Sequence, residues 1–148
     1  MKLSGDAAEV ALAEAQAVLA LVHDPERRGR LGDLVAAVQD GELDDADAQS
    51  LGELLELGLQ SGRIRSVYGP EGEQAALKTY RRLPEGRARA DSAAEVTEAL
   101  AALAGRTLED VKIQSTGPGS YLVTLAVDGL ELSVRLDSAG ARVHSVGV

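Results

Sequence analysis

The sequence predicts an α+β fold: an N-terminal bundle of about four helices, then one helix packed on a four-stranded antiparallel meander. Three observations carry it. Apolar residues recur at helical spacing up to about residue 83, the period changes to two from Val111 onward, and Asp128-Gly129 separates two alternating runs.

The first helix is expected over residues 6–22. Asp6 is a capping residue, and Val10, Ala13/Glu14, Ala17, Val18 and Leu21 form a mostly apolar stripe. Asp24-Pro25 stops it, because the residue before proline avoids the helical region while proline suits the first position of a new helix. The second helix then runs to about Gln39 with Leu31, Leu34, Val35 and Val38 on one face, closed by Asp40-Gly41. Asp44 or Asp45 caps the third, in which Ala48, Leu51, Leu54, Leu55 and Gly58 line one side. Leu57 and Leu59 fall outside that stripe, so cover on a second face is expected.

Arg63 to Tyr68 reads as a short strand or a loop. Gly69-Pro70-Glu71 restarts a helix whose face carries Ala76, Leu77, Tyr80 and Leu83. Residues 84–91 combine proline, glycine and charge without apolar bulk and read as a linker between a helical region, 1–83, and a second region, 92–148.

In that second region a helix is expected from Ser92 to Ala104 with Val96, Leu100 and Leu103 inward. Pairing Val127 with Leu130 sets Leu125 opposite Leu132, Val123 opposite Val134 and Tyr121 opposite Leu136. All eight side chains then share one face, while Glu131, Ser133 and Arg135 point to the other. Strands 111–115 and 141–146 join through Gly117-Pro-Gly119 and Asp137-Ser-Ala-Gly140. Leu122, Thr124 and Ala126 make the outer face of the 121–127 strand less polar than expected of a solvated one, so partial cover is expected there too. The segment 92–146 resembles a PepSY-type domain in outline, through Tyr121-Leu-Val123 and the closing Leu136-Asp137-Ser-Ala-Gly140. The resemblance implies the helix-plus-meander topology and assigns no functional residue.

Composition excludes several classes of chemistry. The 148 residues include no cysteine, so there is no disulfide framework, thiolate metal site or cysteine nucleophile. With 15 bases against 24 acids the net charge is −9, which disfavours nucleic acid and anionic membranes as partners. Asp6, Glu9 and Glu14 interrupt the place where a signal peptide needs an apolar run, so a cytoplasmic protein is expected. Heavy use of Ala, Gly, Leu and Arg resembles the usage of a GC-rich bacterial genome.

No catalytic, metal or cofactor site emerges. The acids Asp40, Glu42, Asp44, Asp45 and Asp47 lack calcium-loop spacing, since the twelfth position from Asp40 is Leu51; they read as helix-start acids. His23 and His144 lie far apart in sequence with no third ligand suggested. Gly69-Pro-Glu-Gly lacks the Lys-Ser/Thr of a phosphate-binding loop, and its acids repel phosphate.

Charge is segregated along the chain. Residues 25–60 hold nine acids against three bases, whereas residues 61–89 hold seven bases against three acids. Within the basic stretch Arg63, Arg65, Tyr68, Tyr80, Arg81 and Arg82 are the candidate partner-contacting residues, either toward another protein or in ion pairs within the chain. The expectation is a non-catalytic accessory or adaptor protein that binds another protein or itself. The alternative is a small-molecule or enzymatic domain with a pocket between helix 92–104 and the sheet, where Tyr121, Arg135, Asp137 or His144 would supply polar groups. A solid aliphatic core at that place favours the first.

Overall fold

The computed structural model describes residues 1–148 and shows five helices followed by four strands. The helices are α1 (Asp6–Leu21), α2 (Pro25–Asp40), α3 (Asp45–Gln60), α4 (Arg63–Tyr80) and α5 (Pro84–Ala101). The strands are β1 (Leu108–Gly117), β2 (Ser120–Val127), β3 (Leu130–Asp137) and β4 (Gly140–Gly147). Two compact units divide the chain, Met1–Arg87 and Ala88–Val148.

In the first unit the helix starts follow capping chemistry. The Asp24 side chain accepts from Arg27 N–H at 2.8 Å ahead of Pro25, and Asp44 accepts from Asp47 N–H at 2.8 Å. Asp6 is not a cap. Gly5, at φ 64°, holds that position, so Asp6 opens the helix as a first-turn acid. Gly41 ends α2 in the left-handed conformation, and Leu3 N–H donates to its carbonyl at 3.0 Å, which ties down the N-terminus. The core gathers Leu34, Val38, Leu51, Leu55, Ile64, Ala76 and Leu83.

Two local expectations are corrected. Residues 63–68 are neither strand nor loop: they form the first half of α4, which kinks at Gly69 (φ 71°) and restarts at Pro70. Ile64 decides this, because a single apolar residue between two arginines fits either period, and burial against α3 selects the helix. The expected linker 84–91 is also helical, forming the start of α5. Pro84-Glu85 is a helix-start signature, and the following Ala and Arg residues are strong helix formers, which outweighs Gly86. Gly86 itself is required by packing: an added Cβ would overlap the Tyr80 carbonyl. The division between the two units falls within this stretch, after Arg87.

The inward face of α1 also differs from the expected stripe. Ala11, Glu14 and Ala15 are buried, while Leu21 lies outside the core. Small residues let α1 sit close to its neighbours, so alanine rather than leucine marks its buried side.

The second unit is a meander in the order β1-β2-β3-β4, all antiparallel. The central register is the expected one: Tyr121, Val123, Leu125 and Val127 stand opposite Leu136, Val134, Leu132 and Leu130. Asp128 and Gly129 both take positive φ, as a tight hairpin turn with right-handed strand twist requires. Val96 packs with Leu132 and Val134, flanked by Ala99, Leu103, Leu125 and Ala141. Ala99 thus replaces the expected Leu100, which is 41% exposed. Ser92 Oγ donates to the Ala141 carbonyl, and Arg89 donates to the Ser138 carbonyl, fixing α5 on the sheet.

Candidate functional site

The basic stretch is largely engaged inside the first unit. Arg63, on the opening turn of α4, is ion-paired with Glu14 of α1, whose side chain is buried. Arg65 pairs with Glu73 at 2.7 Å across the Gly69 kink, and Arg82 donates to the Lys2 carbonyl at 3.1 Å. The Tyr80 hydroxyl donates to Glu56 of α3 at 2.9 Å. Arg81 is exposed. The segregated charge is therefore used in part within the chain, joining α4 and its flank to α1, α3 and the N-terminus.

Tyr68 stands beside the same buried carboxylate. Burial raises its pKa above the ordinary phenol value, and the charge of Glu14 and a hydrogen-bonding interaction with it push the same way; the Arg63 charge opposes them. The second carboxylate oxygen, Oε1, is shut from solvent and makes no hydrogen bond of normal geometry. Gly58 is what lets the cluster form, since a Cβ there would meet Ile64 Cδ1 at 2.8 Å and Glu14 Oε2 at 3.1 Å. Sequence reading placed Glu14 on an apolar stripe without assigning it a partner. An acid at the centre of such a stripe was the available signal.

Glu14 also marks the end of a groove of about 680 Å³ formed between α1, α2 and α3. Its walls are mostly apolar, with Arg27, Arg30 and Arg63 as basic members and Glu14 and Glu53 as acids.

The second candidate surface is the sheet. Between α5 and the sheet the space is filled by aliphatic side chains, Val96, Ala99 and Leu103 against Leu125, Leu132 and Val134. This cover is incomplete. Val111 and Ile113 of β1 pair with Leu125 and Val123 and so share their face, yet Ile113 is 66% exposed, Val111 50% and Tyr121 43%. The uncovered apolar residues are thus on the helix-bearing face. On the other face Leu122, Thr124 and Ala126 are half-buried, and Thr124 Oγ1 and Ser133 Oγ lie 3.1 Å apart in a hydrogen bond.

Of the polar groups named for the alternative pocket, Asp137 has local partners, whereas Arg135 Nε is buried without a hydrogen bond. Asp137 accepts from Ala139 N–H at 2.9 Å and pairs with Arg142 at 2.7 Å. His23 Nδ1 contacts the Leu21 carbonyl at 2.9 Å, and His144 is exposed on β4. No group of three His, Cys, Asp or Glu side chains is placed to hold a metal ion, and no helix is long and apolar enough to cross a membrane.

No protein-family model, curated protein or solved structure matches the chain. These comparisons give no support to the PepSY resemblance read from residues 92–146.

Proposed function

We propose that this is a non-catalytic accessory protein that acts by binding another protein through the β1 side of its sheet. The observation that supports this most is the apolar strip Val111, Ile113 and Tyr121, exposed on the same face as the core residues Leu132 and Val134. β1 is also an edge strand, so one row of its backbone N–H and C=O groups is open to a further strand. An added strand would extend the sheet, and its side chains would cover the strip.

Charge narrows the partner. Two copies of a chain of net charge −9 repel each other, and Glu109 and Asp110 precede Val111 on the edge. The fitting partner is a different chain that presents an apolar extended segment with basic flanks. The cysteine-free composition suits a reducing compartment, and the cytoplasm is the proposed place of action.

The test is capture of partners from host lysate by the tagged protein and by its Ile113→Glu variant, with cross-links mapped by mass spectrometry. A partner whose apolar, basic-flanked segment cross-links to β1 and is lost in the variant supports the proposal. A partner held equally by both proteins overturns it. A dimer of the chain itself, broken by Ile113→Glu in light scattering, replaces it with self-association.

A further inference from the structure

We infer that the groove between α1, α2 and α3 is a binding site for a small amphipathic anion, a free long-chain carboxylate being the fitting class. This is independent of the sheet surface and involves different residues.

The groove is built from one stripe of each helix. On α1 the stripe is Glu14 and Val18, continued by Val22 just past the helix end; on α2 it is Arg27, Arg30, Leu31 and Leu34; on α3 it includes Glu53, Leu54 and Leu57. The spacings of three and four place each set on one helix face, so the sequence itself aims all three at a common space. A volume of about 680 Å³ lies within the range of roughly 300–1,000 Å³ typical of small-molecule sites.

Two features make the groove more than a packing gap. Leu57 is 68% exposed within an otherwise well-packed helix, so an apolar wall stands open to water. This is the residue that fell outside the buried stripe of α3. Arg27 and Arg30 carry no ion pair, in contrast to Lys2–Glu42, Arg63–Glu14 and Arg65–Glu73 in the same unit. In a chain of net charge −9, two unpaired arginines three residues apart beside an apolar wall are a local reversal of charge. Guanidinium groups suit a carboxylate head, and Leu31, Leu54 and Leu57 suit a hydrocarbon tail.

The opposite polarity fits less well. An amphipathic cation would meet Arg27 and Arg30; of the two acids lining the groove, buried Glu14 is already held by Arg63, and exposed Glu53 accepts from Gln49 at 3.4 Å. An anion meets the arginines without disturbing the Arg63–Glu14 pair.

The experiment is an amide NMR titration of the full chain with dodecanoate, dodecanol and dodecyltrimethylammonium. Dodecanoate is expected to shift amides along the three groove stripes and to bind the Arg27→Glu, Arg30→Glu double variant at least about tenfold more weakly. Both arginines are exposed, so the variant keeps its fold, which its thermal melt verifies. Equal binding of all three amphiphiles overturns the inference, as does undiminished binding by the double variant. Shifts confined to the sheet overturn it as well. Vesicles of phosphatidylglycerol are the last arm: sedimentation with vesicles in the absence of dodecanoate binding assigns the arginines to an anionic membrane surface and overturns the free-ligand reading.

Discussion

Arg63 and Glu14 stand 49 residues apart in sequence and form an ion pair in which the carboxylate is buried and the guanidinium only partly so. The pair joins the first turn of α4 to the middle of α1. It holds the residue next to Ile64, whose burial against α3 selects the helix over residues 63–68.

Removing Arg63 leaves a buried charge without its counter-ion. Loss of one partner from a fully buried pair costs about 3–5 kcal/mol. The Arg63 side chain is 37% exposed, so solvent screens part of this, and Arg63→Ala is expected to cost about 2 kcal/mol. Urea denaturation measures it. Glu14→Gln on the Arg63→Ala background should recover part of the loss, because the uncompensated charge is then gone. Strictly additive losses in that cycle would show that the pair is not coupled.

Tyr68 ties the same cluster to alkaline pH. Burial first, and the neighbouring Glu14 second, hold its hydroxyl protonated above the ordinary value of 10.0. A raised folded-state pKa contributes stability that is complete below the unfolded value and declines as pH rises through the folded one. The protein is therefore expected to lose stability above about pH 10, and Tyr68→Phe should flatten that decline. Ultraviolet titration of tyrosinate is the direct check: a late-ionising component should be present in the wild type and should lose amplitude in the variant.

Gly86 and Gly52 offer a contrast within the first unit. A Cβ at Gly86 would overlap the backbone of Tyr80 and Arg81, which cannot yield without moving the turn that starts α5. A Cβ at Gly52 would meet only the Glu85 carboxylate, the far end of a flexible side chain. Gly86→Ala is thus expected to cost about 1–3 kcal/mol as overpacking. Gly52→Ala should cost less, since alanine returns roughly 1 kcal/mol of helix propensity. Thermal melts of the two variants decide it, and an equal cost would refute the distinction.

Much of this arrangement was legible in the sequence, and the exceptions share a cause. The β2–β3 register could be read because Asp128-Gly129 fixes the turn and one slip would send eight apolar side chains to the wrong face. The proline starts of α2 and of the restarted α4 were local signals that tertiary packing did not override. What failed depended on distant partners. Ile64 became helical because of α3, Gly86 was read as a breaker although packing against Tyr80 requires it, and the burial of Glu14 follows from an arginine 49 residues away. The six candidate partner-contacting residues lie in the one basic stretch of an acidic chain. Five of them have partners within the same unit, which periodicity does not reveal.

The sheet yields a last pair of opposed expectations. Val134 is 5% exposed beneath α5 and packs with Val96 and Leu132. Val134→Ala removes two buried methyl groups and should cost about 2 kcal/mol. Ile113 lies on the same face through the Val123 pairing, yet two thirds of it is in water, so Ile113→Glu should change stability by less than about 0.5 kcal/mol. The difference between the variants locates the edge of the cover that α5 provides. If Ile113→Glu destabilised the protein as much as Val134→Ala, the strip would be part of the core, and its availability to a partner would be lost. A small effect on stability together with weaker binding of a hydrophobic dye would leave the strip open on the folded protein, as partner binding through β1 requires.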